Sequence, residues 1–487
     1  MNTENSLENV RKLLEKHGQS HLLGFWADLN ANQKQHLLDQ IQRLDFTKVD
    51  LWVANHVKKP DSSVINGDLI PIKSYGCEPS SPEQKLKYTK ANELGQDLIR
   101  QGKVAAFVVA GGQGTRLGFD GPKGDFPISP VKNKTLFQIF AETIAAVSEK
   151  YGTACPWYIM TSPLNFHQTE EIFKRNNYYG LDKENIFIFQ QGTLPSFSSD
   201  GKILLADKAD ISCSPDGHGG SLQALYESGT LKDMEERGVE FLSYWQVDNA
   251  LINIFDPLFI GLHVIDNAEM SSKALVKTNP FEKVGNFCLC NGKLNVIEYS
   301  EFNKLPDNQA PINSDGTQPK LAERQNPDGS LVFNLGSIAI HIINRSFIEK
   351  FNSGDYTLPL HRAEKNISHI DENGNHVKSK GIKLESFIFD ALPLASNSIV
   401  LETIRSEEFA PTKNPTGIDS AESAKQMIID RAANWLESAG VKVPRNTDGS
   451  PDCTIEIAPG FALEKNDLKA KLNKIPPIKP KDTVYLA

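Results

Sequence analysis

The sequence predicts an α/β chain: a mixed, mostly parallel sheet flanked by helices, preceded by a helical region and followed by a small domain. Two observations carry this. Short runs of apolar, β-branched and aromatic residues recur at Val104–Val109, Trp157–Thr161, 186–189 and 241–247, and helix-like segments lie between them near 135–150, 165–177 and 219–237. Strands alternating with helices build βαβ units, whose crossovers return the chain parallel to its start. A third observation agrees. Immediately beyond these runs stand 111–118, Ser162, Gln190 with Gln191, and Asp248 with Asn249, all polar or glycine-rich. Ligands of parallel sheets gather past the carboxyl ends of the strands, so a site is expected there.

Taken in chain order, 5–45 reads as two or three amphipathic helices. Leu7, Val10, Leu13 and Leu14 keep helical spacing, as do Leu37, Leu38, Ile41 and Leu44, with Phe25 and Trp26 expected to pack between them. A polar stretch over 58–83, with several Pro and Ser, reads as a loop or linker. The strand–helix alternation follows from 104. Residues 303–330, rich in Pro, Asn, Asp and Gly, read as an exposed excursion. Past about 396 the alternation fades into a helix near 419–438, short strand candidates and a Lys/Pro tail. The boundaries implied are 1–95 for the helical region, 96–395 for the α/β core and 396–487 for the small domain.

Hydrophobic residues make up 39% of the 487 positions and charged residues 23%, a folded rather than a disordered or membrane composition. Lys plus Arg is 52 and Asp plus Glu 61, a formal net charge of −9. Phosphate polymers and anionic membranes select basic surfaces, so neither nucleic acid nor membrane is expected as a partner. A small anion held in a local basic pocket remains compatible with that balance. The six cysteines (Cys77, Cys155, Cys213, Cys288, Cys290, Cys453) include no CxxC pair, and the single CxC lies in an apolar stretch, which argues against structural zinc. Dispersed thiols fit a reducing compartment. The first residues lack the basic and apolar regions of a signal peptide, and no apolar run approaches the ~20 residues of a membrane span. A cytoplasmic location is expected.

The strongest local signal is Gly111-Gly112-Gln113-Gly114-Thr115-Arg116-Leu117-Gly118, directly after an apolar strand and its terminal Ala110. It is no Walker A loop, because no Gly-Lys-Ser/Thr follows at the required spacing, and its third glycine falls one residue late for a dinucleotide fingerprint. That late glycine also disfavours a Rossmann dehydrogenase. The physical content is similar all the same. Glycines let backbone amides approach a phosphate chain, and Arg116 adds a charge-assisted fork. Lys123, in Gly121-Pro122-Lys123-Gly124, brings a second cation on a rigid turn. A second signal is Pro215-Asp216-Gly217-His218-Gly219-Gly220, where three glycines around a histidine suit close packing on a planar base or sugar. Read alone, His218 is equally a satisfied turn residue. Third, Asp248 closes an apolar strand. A carboxylate there is a natural Mg2+ ligand when phosphates complete the shell, and read alone it is equally a helix cap.

Together these motifs resemble the eukaryotic-type UDP-sugar pyrophosphorylases. Residues 111–118 with Pro122-Lys123-Gly124 look like that family's LxxGGxGTRLG…PKG signature. Agreement continues in order at 156–162, at 191–195, at 215–220, at Val247-Asp248-Asn249 and at Ile297-Glu298-Tyr299-Ser300-Glu301. It resumes at 333–337, 381–390 and 409–413, so the resemblance covers about 100–415. The nearest branch is the UDP-N-acetylglucosamine pyrophosphorylases. The fold it implies is a Rossmann-like, GT-A-like nucleotidyltransferase, with 96–395 as the catalytic domain. The activity it implies joins UTP to a sugar 1-phosphate with Mg2+ as cofactor.

The resemblance also implies roles. Ala110, Gly111, Gly112, Gly114 and Thr115 would bind UTP, with Gln191 and Gly217 around the uracil. Arg116, Lys123, Lys383 and Lys413 would handle the phosphates, and Asp248 the magnesium. His218, Gly285, Glu298, Tyr299, Asn334, Phe387 and Phe389 would line the sugar side. Two departures bear on the sugar. His218 stands where the N-acetylglucosamine branch typically carries Asn, and resembles the UDP-glucose and broad-specificity enzymes. The NAGN motif reads Asn334-Leu335-Gly336-Ser337. The retained Glu298-Tyr299 pair favours an N-acetylhexosamine. A UTP–glucose-1-phosphate or broad-specificity UDP-sugar enzyme is the alternative. A non-catalytic nucleotide-sugar sensor would be expected to lose the phosphate cations, and all are present. Monomer and dimer are both left open.

Overall fold

Among the described residues ten strands share one mixed sheet, and the four apolar runs form its parallel half. In chain order they are β1 (Leu69–Ile70), β2 (Val104–Val109), β3 (Trp157–Thr161), β4 (Ile186–Gln190), β5 (Phe241–Gln246), β6 (Met270–Val276), β7 (Gly285–Cys290), β8 (Lys293–Ile297), β9 (Leu335–Asn344) and β10 (Val400–Glu402). This computed structural model describes residues 3–59, 68–310, 312, 315–354 and 356–487. Part of the expected linker, 60–67, lies outside the described residues, as do 311, 313 and 314 of the expected excursion.

The sheet order is β1-β7-β9-β5-β2-β3-β4, with β8 beside β7, β6 beside β9 and β10 beside β6. Strands β5, β2, β3 and β4 run parallel. Each of β2, β3 and β5 is buried along nearly its whole length, which is why it reads as a continuous apolar run. The antiparallel pairings enter through β9, which is flanked by β6 on one side and by β5 and β7 on the other. The intervening helices fall where expected, at Leu136–Tyr151, capped by the Thr135 hydroxyl, and Phe166–Arg175. The segment near 219–237 differs. It is two helices, Ser221–Glu227 and Thr230–Arg237, because Gly229 takes a left-handed φ of +80° between them.

The chain groups into two compact units. One comprises Met1–Asn66, Gln191–Ser221 and Thr357–Asp390; the other comprises Gly67–Gln190, Leu222–Tyr356 and Ala391–Ala487. The sequence reading draws contiguous boundaries, whereas this grouping interleaves segments. In the first unit, helices Thr3–Lys16, Ala31–Arg43 and Phe46–Trp52 bury Leu14, Leu37, Ile41 and Val49 against Phe197, Ile203, Ile382 and Leu384, with Phe25 and Trp26 packed at the edge. A long hairpin, His361–Ile370 with His376–Glu385, belongs to this unit.

In the second unit, the sheet and its helices enclose Phe107, Phe137, Phe140, Trp157, Phe173 and Trp245. Its last residues add a smaller core around Leu436, Ile455, Phe461 and Leu486, with the helix Ala421–Ser438 capped by Ser420. No helix among the described residues is long and apolar enough to cross a membrane.

One buried histidine in the second unit makes this core sensitive to acid. His263 Nε2 lies 2.6 Å from the Asn344 amide oxygen and Nδ1 lies 2.7 Å from the Ser271 hydroxyl. An amide oxygen only accepts, so Nε2 donates, and in the neutral ring Nδ1 receives the serine proton. Burial pushes its pKa down to about 4. A histidine with a depressed folded pKa binds more protons when unfolded, so stability falls with pH below about 6.5. Urea melts should show about 3 kcal/mol lost on this account between pH 6.5 and pH 4. The loss should shrink in His263→Gln, whose side chain does not titrate.

Candidate active site

The last rung between β2 and β5 sets the site. Val247 N–H donates to the Val109 carbonyl at 3.1 Å, so 110–118 and Asp248 leave the sheet side by side at its carboxyl edge. Ala110 is buried and donates to the Met160 carbonyl at 2.7 Å. The loop then folds on itself. Gly114 N–H donates to the Gly121 carbonyl at 2.9 Å and Lys123 N–H to the Gly112 carbonyl at 3.0 Å. A Cβ on Gly114 would lie 2.7 Å from the Phe119 ring, and one on Gly112 would lie 4.0 Å from Lys123 Cε. Lys123 therefore runs along the open backbone of Gly112, while Thr115 and Arg116 stand exposed on the following turn. Gly111 is half-buried.

A residue that sequence reasoning missed holds this loop. Asn165, fully buried, donates its amide to the Ala110 carbonyl at 3.0 Å and the Gly112 carbonyl at 3.3 Å, and accepts from Ser162 N–H at 2.9 Å. The available signal was a lone Asn four residues past a strand end, too common to single out.

Asp248 is nearly buried, and Lys413 Nζ lies 4.0 Å from its carboxylate. The two meet because the backbone around them is stitched together. Thr412 N–H donates to the Asp248 carbonyl at 2.9 Å, and Asn249 uses both amide atoms on the same segment, donating to the Glu408 carbonyl at 2.7 Å and accepting from Ala410 N–H at 2.9 Å. Glu408 is itself anchored, its carboxylate taking the buried Lys273 at 2.5 Å while Asp256 takes the same ammonium at 2.6 Å. Beside Lys413, burial raises the Asp419 carboxyl above its usual range, and the lysine partly offsets this.

The remaining matched residues of this unit gather at the same edge. Strand β9 runs antiparallel to β5, so its start lies beyond the carboxyl end of β5. Asn334 precedes that start, Gly285 pairs with Ser337, and Asn286 pairs with both Gly336 and Ile297, the residue before Glu298. Glu298 opens the one-turn helix Tyr299–Phe302. A Cβ on Gly285 would fall 2.5 Å from a Val296 methyl, so glycine lets β7 and β8 close up here.

The first unit holds the other matched group. Gln191 is buried and donates its amide to Asp216 at 3.0 Å and to the Gly217 carbonyl at 3.2 Å. Gly217 has φ +88°, and a Cβ there would meet the Ser386 carbonyl at 2.3 Å. The 215–220 turn is thereby pressed against 385–388, with Gly219 N–H donating to the Ser386 carbonyl at 2.9 Å and Ser386 N–H to the Asp216 carbonyl at 2.7 Å. His218 Nδ1 accepts from Ile388 N–H at 3.1 Å. Its ring stacks on Phe387 at 5.2 Å and meets Phe389 edge-on at 5.8 Å. Phe387 also stacks on His361 at 4.4 Å, and His361 Nε2 lies 2.8 Å from the Asp390 carboxylate. That histidine, too, went unread in the sequence. Lys383, half-buried, sits on the hairpin opposite Ala363.

Within the second unit, then, the structure brings together the glycine loop with Lys123, the Asp248–Lys413 pair, and the Gly285, Glu298 and Asn334 stretches. Within the first it brings together Gln191, Gly217, His218, Phe387 and Phe389. The donor set at Asp248 fits a hard divalent cation: one buried carboxylate beside a loop suited to phosphate oxygens. Mg2+ is typically held by one or two carboxylates completed by substrate phosphates and water.

A backbone-amide cradle with a lysine, beside an aspartate ending the neighbouring parallel strand, defines a nucleotide-handling α/β transferase. The family model described as UTP–glucose-1-phosphate uridylyltransferase matches residues 70–485, and the chain belongs to that family. UDP-N-acetylhexosamine pyrophosphorylase-like protein 1 of Homo sapiens is 35% identical over 501 residues, covering 96% of this chain and 95% of the relative. The UDP-N-acetylglucosamine pyrophosphorylase of Saccharomyces cerevisiae is 34% identical, covering 90% and 92%. Among solved structures, the uridine diphosphate N-acetylglucosamine pyrophosphorylase of Trypanosoma brucei in complex with inhibitor matches with a TM-score of 0.80 over 100% of this chain and 98% of that one, at 23% identity. The likeness extends the shared fold along the whole chain.

Two glycines give a contrast that tests how tightly the 215–220 turn is packed. Gly118→Ala adds a methyl with nothing within 4 Å at φ +70°, so it should cost only the left-handed backbone, about 1 kcal/mol. Gly217→Ala meets a backbone of φ +88° and ψ 171° that is essentially restricted to glycine, plus the clash with Ser386, and should cost about 3 kcal/mol or more by urea denaturation.

Proposed function

We propose that this chain transfers the uridylyl group of UTP to N-acetylglucosamine 1-phosphate, releasing pyrophosphate, in the cytoplasm. The observation that carries the reading is the cradle at the carboxyl edge: the open glycine loop beneath Lys123, with Asp248 and Lys413 emerging beside it. The relatives of similar length, whose names specify N-acetylhexosamine or N-acetylglucosamine, support the choice of sugar. Six cysteines without a disulfide fit the reducing compartment.

The chemistry needs no general base. A sugar 1-phosphate is already largely dianionic near neutrality, since the second pKa of a phosphate monoester is about 6. Its oxygen attacks the α-phosphorus of UTP while the bond from that phosphorus to the pyrophosphate oxygen breaks. The obstacle is repulsion between two anions, so positioning and charge neutralisation carry the rate. Arg116 and Lys123 act from the glycine loop, Lys413 from beside Asp248, and Lys383 from the hairpin. Asp248 would hold Mg2+ together with the substrate phosphates, and the ion supplies charge neutralisation when bound. The resemblance assigns Gln191 and Gly217 to the uracil, and it assigns Glu298, Tyr299 and Asn334, and likewise Phe387 and Phe389, to the sugar.

His218 favours a second reading of the sugar. With Nδ1 accepting from Ile388 N–H, the imidazole extends farther from the backbone than the amide of the Asn usual in the N-acetylglucosamine branch. A glucose-type or broader preference follows if that reach serves the hexose hydroxyls.

Pyrophosphate release from UTP and Mg2+ should be measured with N-acetylglucosamine, N-acetylgalactosamine and glucose 1-phosphates in parallel. The first should be the best substrate. Preference for glucose 1-phosphate overturns the sugar, and no release with any of them overturns the activity. Lys123→Ala should lower kcat by about 100-fold or more, in line with loss of one transition-state donor, with a much smaller change in UTP affinity. An unchanged kcat would remove Lys123 from the mechanism.

A further inference from the structure

Lys277 joins the stretches assigned to the sugar, and no motif singled it out. It follows β6 directly and is almost fully buried. Its backbone N–H donates to the Asn334 carbonyl at 2.7 Å. Its ammonium donates to the Asn286 side-chain oxygen at 2.6 Å and to the Pro280 carbonyl at 3.3 Å, and lies 5.6 Å from the centre of the Phe302 ring. Asn286 is fully buried, neighbours Gly285, and pairs across the hairpin with Ile297, next to Glu298. Phe302 closes the turn that Glu298 opens, donating its N–H to the Glu298 carbonyl at 2.8 Å, and its ring packs edge-on against Phe333, next to Asn334. Three separate stretches thus converge on one residue, 285–286 and 298–302 at its ammonium and 333–334 at its backbone N–H.

The chemistry of that side chain argues against simple packing. Among the described residues no carboxylate forms an ion pair with Lys277. The carboxylate whose charge acts on it, Glu282, accepts from Thr278 and pairs with Arg405. Burial accordingly pushes the lysine pKa down to about 8. An ammonium held by two neutral oxygens is costly to bury, and an apolar side chain would fill the same space more cheaply. What an apolar chain cannot do is donate to Asn286 and face the Phe302 ring with a charge at once.

We propose that Lys277 is a positioning residue for the sugar, setting Gly285, Glu298 with Tyr299, and Asn334 relative to one another and so governing affinity and selectivity for the sugar 1-phosphate. The inference rests on the assignment of those residues to the sugar made above. It predicts a split between substrates. In Lys277→Met, KM for the sugar 1-phosphate should rise about tenfold or more, with KM for UTP within about twofold of wild type. The ratio of kcat/KM between N-acetylglucosamine and glucose 1-phosphates should move towards one. Lys277→Arg, which keeps the charge and donors, should recover most of the loss.

Asn286→Ala removes the closest acceptor without touching the lysine and should give the same split, so the test survives if Lys277→Met folds poorly. Calorimetry reads the same discrimination without turnover, as the affinity for UDP-N-acetylglucosamine relative to UDP. An unchanged sugar KM and unchanged selectivity overturn the proposal. So does an equal loss for both substrates with a lowered melting temperature, the pattern of a merely structural role. The wild-type substrate profile decides the sugar separately, because the variants are compared with wild type on whichever sugar 1-phosphate it prefers.

Discussion

The rest of the site depends on one hydrogen-bonded rung, Val247 N–H to the Val109 carbonyl, where two parallel strands end together. Parallel strands in register release their following residues at one edge, so a glycine loop and an acidic residue far apart in sequence become neighbours without any long-range device. The antiparallel return of β9 then brings further residues to that edge from the opposite direction. A chain with net charge −9 can still concentrate cations there, because the fold decides which few side chains share the space. Arg116 and Lys123 come from one segment of that unit and Lys413 from another, nearly 300 residues on.

Glycine serves two distinct ends in this molecule. In the loop after β2 it removes side chains so that backbone amides and Lys123 stay open on one face. In the 215–220 turn it allows intimate contact instead: any Cβ on Gly217, Gly219 or Gly220 would collide with 386–387 or Asp216. The first arrangement leaves room for something else. The second builds a rigid mount for His218, whose orientation is set by a backbone donor and an aromatic face.

How much of this was legible in the sequence follows from the range of the forces involved. The parallel strands β2, β3, β4 and β5 announce themselves because burial on both faces demands continuous apolar runs, and the helices between them keep a 3.6-residue period. The glycine motifs announce themselves because few residues tolerate those backbones. The single helix expected over 219–237 misread Gly229, whose left-handed φ ends one helix and begins another. Asn165, His361 and Lys277 were illegible for a common reason. Each acts through a few polar contacts that follow no repeating pattern, and a solitary Asn, His or Lys carries no periodicity that reveals its partner. The interleaving of segments between the two units is similarly silent, since chain crossings at 190–191 and 221–222 leave no compositional mark.

Glu408 uses its carboxylate on the buried Lys273 and its carbonyl on Asn249, while Asn249 sits beside Asp248. Lys413, five residues on, therefore inherits its place from an ion pair inside the core rather than from the segment that follows it. Exchange of the carboxyl-terminal portion between related enzymes would have to carry 405–413 with the core, because a junction placed before that stretch would separate the lysine from the residues that aim it. The boundary that matters for inheritance thus falls after Lys413, inside what sequence composition marks as a separate domain.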